Sequence, residues 1–235
     1  MEVLAQLNRT FYERFAGHFA ASRTPNQPGW RRLLAYLPER GVLLDAGCGH
    51  GRFASLLDHQ GRQMTYFGVD NSPALLAIAR ANATALALPA IFIEADITAA
   101  GWTERLPVRR FDAIVSLAVL HHIPGRASRL ALLALLGDLL TEGGVLAVST
   151  WQWMNEARLR RKVTPWPAAG LTPEQVEPGD YLLDWQRGGA GLRYCHLVDE
   201  PELIALARQA GLRVEAIFQD DGRNRNLNLF AVLRR

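Results

Sequence analysis

The sequence predicts an α/β protein built on a doubly wound, mostly parallel sheet. Three observations carry that expectation. Uninterrupted apolar strands alternate with amphipathic helices, as they do when a parallel sheet is covered on both faces. A glycine-rich turn, "DAGCGHGRF", follows the first strand directly. The last two strands are joined without a helix, so they should pair antiparallel at the sheet edge.

Two helical stretches lead in, over about 3–20 and 28–37. Then come strand "GVLLDAG", helix "RFASLLDHQ", strand "MTYFGVD", helix "PALLAIARANA" and strand "AIFIEAD". After a short excursion follow strand "FDAIVSL", helix "SRLALLALLGDLL" and strand "GVLAVST". Right-handed crossovers turn such an alternation into a doubly wound sheet. Residues 152–196, rich in Arg, Trp, Pro and Gly, break the rhythm, which returns with helix "EPELIALARQAG" and strands "LRVEAIFQ" and "LNLFAVLRR". With no repeat and no linker, residues 1–235 read as one domain: a helical lead-in (1–38), a core (39–150), an insertion (151–197) and a closing helix and hairpin (198–235).

Composition narrows the function class. The net charge is +3, and Lys162 is the single lysine among 26 basic residues. Arginine suits planar anions and RNA, while a codon bias toward arginine would produce the same composition. Cys48 and Cys195 are the only cysteines, so neither a disulfide framework nor a metal site is expected. The N-terminus lacks the parts of a signal peptide, and "LALLALLGDLL", broken by Asp138, is too short to span a bilayer. The expected compartment is the cytoplasm.

The glycines ask for a ligand close to the backbone. In doubly wound sheets ligands bind beyond the carboxyl ends of the strands, near the first strand, where Gly47, Gly49 and Gly51 fall. Asp70, ending the second strand, can accept both hydroxyls of a ribose, and Asp96, after the third, can accept from an adenine amino group. Asp45, Asp70 and Asp96 around one glycine turn describe a pocket for an adenosine without a diphosphate. A nicotinamide dinucleotide fits less well, because its fingerprint places the third glycine one position later.

The segments "VLLDAGCGHGRF", "YFGVDNSPALLAIAR", "FIEADIT", "FDAIVSLAVLHHI" and "LLTEGGVLAVSTW" resemble, in order and spacing, the motif series of class I S-adenosylmethionine-dependent methyltransferases. The resemblance covers about residues 40–150 and implies a Rossmann-like sheet of seven strands in the order 3-2-1-4-5-7-6, strand 7 antiparallel. It also implies S-adenosyl-L-methionine as cofactor and S-adenosyl-L-homocysteine as product. Asp45, Gly47 and Gly49 would line the methionine end, and Asp70, with Asn71 beside it, would hold the ribose. Asp96 and Ile97 would meet the adenine, and Leu117 would lie along the cofactor. A partner subunit that binds the cofactor without catalysis is a further alternative.

The outer segments resemble one branch, the tRNA wobble-uridine carboxymethyl methyltransferases. The likeness rests on Tyr12, His18-Phe19, Ser22-Arg23, "AVLHH" (118–122), Trp151, Pro165-Trp166 and "RYCH" (193–196). It departs where Cys195 replaces a second tyrosine and where "GRNRNLNLF" replaces a tryptophan-containing ending. By this likeness the lead-in helices form a lid, with Tyr12 over the cofactor and Arg23 meeting the methionine carboxylate. Their aromatics could equally be anchors for those helices.

The chemistry is coherent with a carboxylate acceptor. A carboxylate is already nucleophilic at neutral pH, so the enzyme needs an orienting cation rather than a base. Arg193 and His196 are the candidates. A phenol, amine or ring-carbon acceptor would need a base, for which His121 or His122 is placed; one ring should be structural and the other face the pocket. Adjacent histidines are expected to point apart, without metal-ligand partners. The run "RLRRKV" supplies Arg158, Arg160, Arg161 and Lys162 beside Trp151, Trp153 and Trp166. Cations among aromatics suit tRNA contact, although a solvated helical face or tryptophans walling a small-molecule pocket would leave the same pattern. The expected activity is methylation of a carboxylate on a modified tRNA wobble uridine. The alternative is a small-molecule O- or N-methyltransferase, and engagement of a small activating protein partner stays open.

Overall fold

The computed structural model describes residues 1–23 and 27–235. Helix α1 (Glu2–Ala21) carries a buried stripe of Leu4, Asn8, Phe11 and Phe15 at helical spacing. Helix α2 (Pro28–Leu33) opens on proline and is shorter than the expected 28–37. The core then alternates as expected through β1 (Arg40–Ala46), α3 (Arg52–His59), β2 (Gln63–Asp70), α4 (Pro73–Ala83), β3 (Ala90–Glu94), β4 (Phe111–Leu117), α5 (Arg126–Asp138) and β5 (Leu140–Trp151).

A short helix α6 (Ala157–Arg160) leads into a feature missing from the sequence reading. Strands β6 (Val163–Thr164), β7 (Asp180–Trp185) and β8 (Gly191–His196) form a separate antiparallel sheet within the insertion. The turn "QRGGA" between β7 and β8 puts Leu183 opposite Arg193 and Asp180 opposite His196. Helix α7 (Glu200–Gln209), β9 (Arg213–Asp220) and β10 (Asn228–Arg234) close the chain.

The main sheet runs β3-β2-β1-β4-β5-β10-β9. In order of appearance this is 3-2-1-4-5-7-6, as the resemblance implied. Only β10 opposes its neighbours, pairing antiparallel with both β5 and β9. Leu43, Leu44 and Ala46 of β1 are fully buried because helices cover both faces. One layer packs Leu132 and Leu136 of α5 with Leu203 and Leu206 of α7. The other packs Trp30 and Leu33 of α2 with Phe53 and Leu57 of α3. Each leucine so buried contributes about 2 kcal/mol. The chain reversals at the carboxyl ends of β1, β2 and β4 therefore stand on a rigid platform. Helix α1 crosses above them and docks on the second sheet, where Phe11 and Phe15 pack on Trp185. Among the described residues, no helix is long and apolar enough to cross a membrane.

Candidate active site

One cavity of about 240 Å³ opens at the carboxyl ends of β1, β2 and β4, beneath α1. All ten residues expected to bind the cofactor line it: Tyr12, Arg23, Asp45, Gly47, Gly49, Asp70, Asn71, Asp96, Ile97 and Leu117. Gly47 and Gly49 lie at positive φ, +89° and +55°, where side chains are strained. A Cβ on Gly47 would also stand 2.3 Å from a methyl carbon of Val119. The turn is pinned to β2, since the Gly47 and Cys48 amides donate to the Val69 carbonyl at 2.8 and 3.0 Å.

The three aspartates differ in their surroundings. Asp70 accepts from the Gly49 amide at 2.8 Å and from the Ser72 amide at 2.9 Å, so it holds the turn as well as facing the cavity. That structural role was not visible in the sequence, and it leaves carboxylate lone pairs free. Asp45 is buried and accepts from the Tyr66 hydroxyl at 2.6 Å; burial pushes its carboxyl up to about 7. Asp96 accepts from the Thr98 amide and hydroxyl and pairs with Arg9 of α1 at 3.2 Å. Glycines that admit a ligand to the backbone, together with three carboxylates lining the same space, fit an adenosine that carries no diphosphate.

Arg193 lines the same cavity, near enough to Tyr12 and Arg23 for their charges to interact. Its guanidinium lies 4.6 Å from the centroid of Trp151, with Phe11 and Trp185 at 5.6 and 5.9 Å. The residue is 6% exposed, and its Nε and Nη1 are shut off from solvent without a hydrogen-bond partner. Such donors are costly unless a ligand satisfies them.

His121 and His122 both line the cavity, so the expected division into one structural and one facing ring does not hold. Their rings are 4.2 Å apart rather than pointing apart, because Leu120–His122 form a 3-10 turn. The Cys195 thiol is drawn within 4.8 Å of their nitrogens. These groups are committed to protein partners. The Trp151 amide donates to His121 Nδ1 at 3.2 Å, which puts that ring's proton on Nε2. His122 Nδ1 lies 3.1 Å from the Tyr194 carbonyl and so carries a proton, leaving Nε2 to accept from the Tyr12 hydroxyl at 2.8 Å. Burial lowers both imidazoles, His122 to about 3, and pushes the Cys195 thiol up to about 12.

His196 requires a correction. Residues three apart on a strand face opposite sides, so β8 sends Arg193 into the cavity and His196 away from it. His196 Nδ1 meets Asp180 at 2.6 Å and Nε2 meets Glu202 at 2.9 Å, with Arg129 alongside at 3.2 Å. Tyr194, on the same face as His196, donates to the same Asp180 oxygen at 2.7 Å. The cluster joins the second sheet to α5 and α7.

The insertion divides as well. Arg158, Arg160 and Arg161 are exposed, while Lys162 and Trp166 are half-buried. Trp153, expected beside the cations, is fully buried against Tyr181 and cannot stack on a base. Asn8 escaped the sequence reading. It accepts from the Tyr194 amide and donates to the His122 carbonyl, joining lid, second sheet and β4 loop. Its position within the apolar stripe of α1 was the available signal.

Residues 18–217 match a family described as methyltransferase domain. The chain is 31% identical over 142 residues to tRNA (carboxymethyluridine(34)-5-O)-methyltransferase alkbh8 of Xenopus tropicalis, covering 60% of this chain and 20% of that one. It is 37% identical over 163 residues to trans-aconitate 2-methyltransferase of Methylobacterium radiotolerans, covering 63% of this chain and 58% of that one. It thus spans less than two thirds of either relative. The fold is similar to that of magnesium protoporphyrin IX methyltransferase from Synechocystis with bound S-adenosylhomocysteine (TM-score 0.64, 18% identity, covering 99% of this chain and 98% of that one).

Proposed function

The chain belongs to the methyltransferase-domain family and uses S-adenosylmethionine, and on that premise we propose that it esterifies a carboxylate on a modified wobble uridine of tRNA. The observation that carries the carboxylate is Arg193, a buried guanidinium that lines the cavity and has two donors no protein group satisfies. A carboxylate would give this guanidinium a charge-assisted hydrogen bond through one oxygen and leave its second oxygen to react. His121, whose ring proton sits on Nε2, is a second, neutral donor at the same end.

When bound, the cofactor supplies an electrophilic methyl group on a sulfonium. Asp45, Gly47 and Gly49 would hold its methionine end, Asp70 and Asn71 the ribose, and Asp96 and Ile97 the adenine. Leu117 would line its length, with Tyr12 and Arg23 closing over it. The protein's remaining work is positioning. An ionised carboxylate becomes a neutral ester and releases no proton, so no base is needed. The lone pair of His121 Nδ1 is held by the Trp151 amide and that of His122 Nε2 by Tyr12, which argues against an acceptor that must be deprotonated.

The two relatives' names, carboxymethyluridine and trans-aconitate, both denote carboxylate acceptors. The second favours the other reading, a small polycarboxylate acceptor. Both readings use Arg193 in the same way. Arg193→Ala should lower kcat/KM for the acceptor by roughly 10²–10³-fold while cofactor affinity stays within about twofold. Loss of cofactor affinity instead would move Arg193 out of the acceptor site.

A further inference from the structure

Resting on the RNA acceptor, we propose that one rim of the cavity is a phosphate-binding track for RNA, assembled from three segments far apart in sequence. The first is α2, the second the β9–β10 turn, and the third the stretch 152–162. Hydrogen bonds set them side by side. The Gly29 amide of α2 donates to Asp221 of the turn at 2.9 Å. Asn155 donates to the Asn226 carbonyl at 2.7 Å, and the Gln152 amide to the Leu227 carbonyl at 2.7 Å. Trp30, Leu227 and Trp151, one from each segment or its border, line the cavity, so the three segments border it.

The surface these segments share is cationic. Each offers an exposed arginine with no partner among the described residues: Arg31, Arg223 and Arg161. Further cations stand beside them. Arg32 lies over the Phe218 ring at 4.0 Å, Arg225 pairs with Asp220, and Arg160 donates to the Met154 carbonyl. The carboxylates of these segments answer Arg225 and Arg158, and none is in ion-pair reach of Arg31, Arg161 or Arg223 among the described residues. Asp220 and Asp221 are buried, the latter holding Gly29 and Asn228, while the half-buried Glu156 faces Arg158 at 4.0 Å.

The chemistry of the patch selects a polyanion of fixed geometry. Guanidinium forks match phosphate oxygens two at a time. A membrane surface would also ask for inserted apolar side chains, and among the described residues Val163, at the border of the third segment, is the one large exposed apolar residue in these segments or at their borders. A nucleotide whose base enters the cavity leaves its flanking phosphates outside it, on the side that these three segments border. The track therefore extends the basic run of the insertion to Arg31 and Arg223.

The test is filter binding of deacylated bulk tRNA across a salt series, with the wild-type chain and the triple variant Arg31→Ala/Arg161→Ala/Arg223→Ala. A second variant, Arg40→Ala/Arg213→Ala, removes exposed charge from the opposite ends of β1 and β9. The triple variant should bind at least about tenfold more weakly and show a shallower salt dependence, by roughly 0.7–0.9 in the log–log slope for each phosphate that is no longer neutralised. Its cofactor affinity should be unchanged, and the Arg40/Arg213 variant should bind tRNA like wild type. Equal binding by the triple variant, or an equal loss in the control, overturns the track and leaves the RNA reading standing. A wild-type chain without salt-dependent tRNA binding overturns the RNA reading, and the track with it.

Discussion

The two ends of the cavity are built differently. At the cofactor end each aspartate already has partners: Asp45 has Tyr66, Asp70 has two backbone amides, and Asp96 has Thr98 and Arg9. At the acceptor end Arg193 is caged by aromatics with donors left open. The aspartates thus form a satisfied polar frame, although Arg9 and Arg23 beside them each keep a buried Nε unpaired. The acceptor end is incomplete until an anion arrives, so the free energy of binding there goes to one charged contact. Mutations at the first end should disturb frame and ligand together, and mutations at the second the ligand alone.

The largest disturbance of the first kind is expected from Asp70→Ala. It removes the ribose acceptor and frees the Gly49 and Ser72 amides, so cofactor affinity by titration calorimetry should fall by about 100-fold or more. Normal binding by that variant would move the ribose elsewhere.

His196→Gln probes what holds the second end in place. Burial disfavours the charged ring, but hydrogen bonds to Asp180 and Glu202 outweigh it and raise His196; the same contacts lower Asp180 and Glu202 against their own burial. Breaking the cluster should cost about 3 kcal/mol in denaturant unfolding while leaving cofactor affinity close to wild type. The sign with pH follows. The histidine's contribution is complete below about 6.5 and lost as pH rises through its raised folded value. The carboxylates' contribution is lost as pH falls below their ordinary range. A glutamine variant with an unchanged stability–pH profile would show that the cluster does not act this way.

Cofactor affinity itself should depend on pH. Asp45, pushed up to about 7, must ionise to hold an ammonium, so affinity should fall by about tenfold per unit below pH 7 and level off above it. Titrations in matched buffers check this, and a flat profile would leave Asp45 without that role. The smallest effect belongs to Arg9→Ala. Its pair with Asp96 is partly exposed on both sides, so under about threefold in cofactor affinity is expected.

The cofactor end was legible in sequence because its parts sit at the ends of successive strands, where apolar runs stop at Asp45, Asp70 and near Asp96. The strand order came from the likeness to class I methyltransferases, and only the closing antiparallel pair was read from the strand pattern itself. The acceptor end is assembled across the fold, and there sequence proximity misled. Arg193 and His196 look like partners until the strand period places them on opposite faces. The histidine pair looks divergent until a 3-10 turn brings the rings together. The second sheet was hidden because its hairpin lies within a stretch dominated by Arg, Trp, Pro and Gly, although "DYLLDWQRGGAGLRYCH" carries the turn glycines between two β-prone runs. The Arg129–His196–Glu202 cluster had no local signal at all, since its members come from α5, β8 and α7.

The most direct test is the nature of the bond formed. Extract from a strain lacking this gene, incubated with the protein and radiolabelled S-adenosylmethionine, should accumulate label in tRNA. Mild alkali should release that label as methanol, as it does from a methyl ester. Alkali-stable label in any fraction would contradict a carboxylate acceptor held by Arg193. Alkali-labile label confined to small molecules would keep the ester chemistry and contradict the tRNA acceptor.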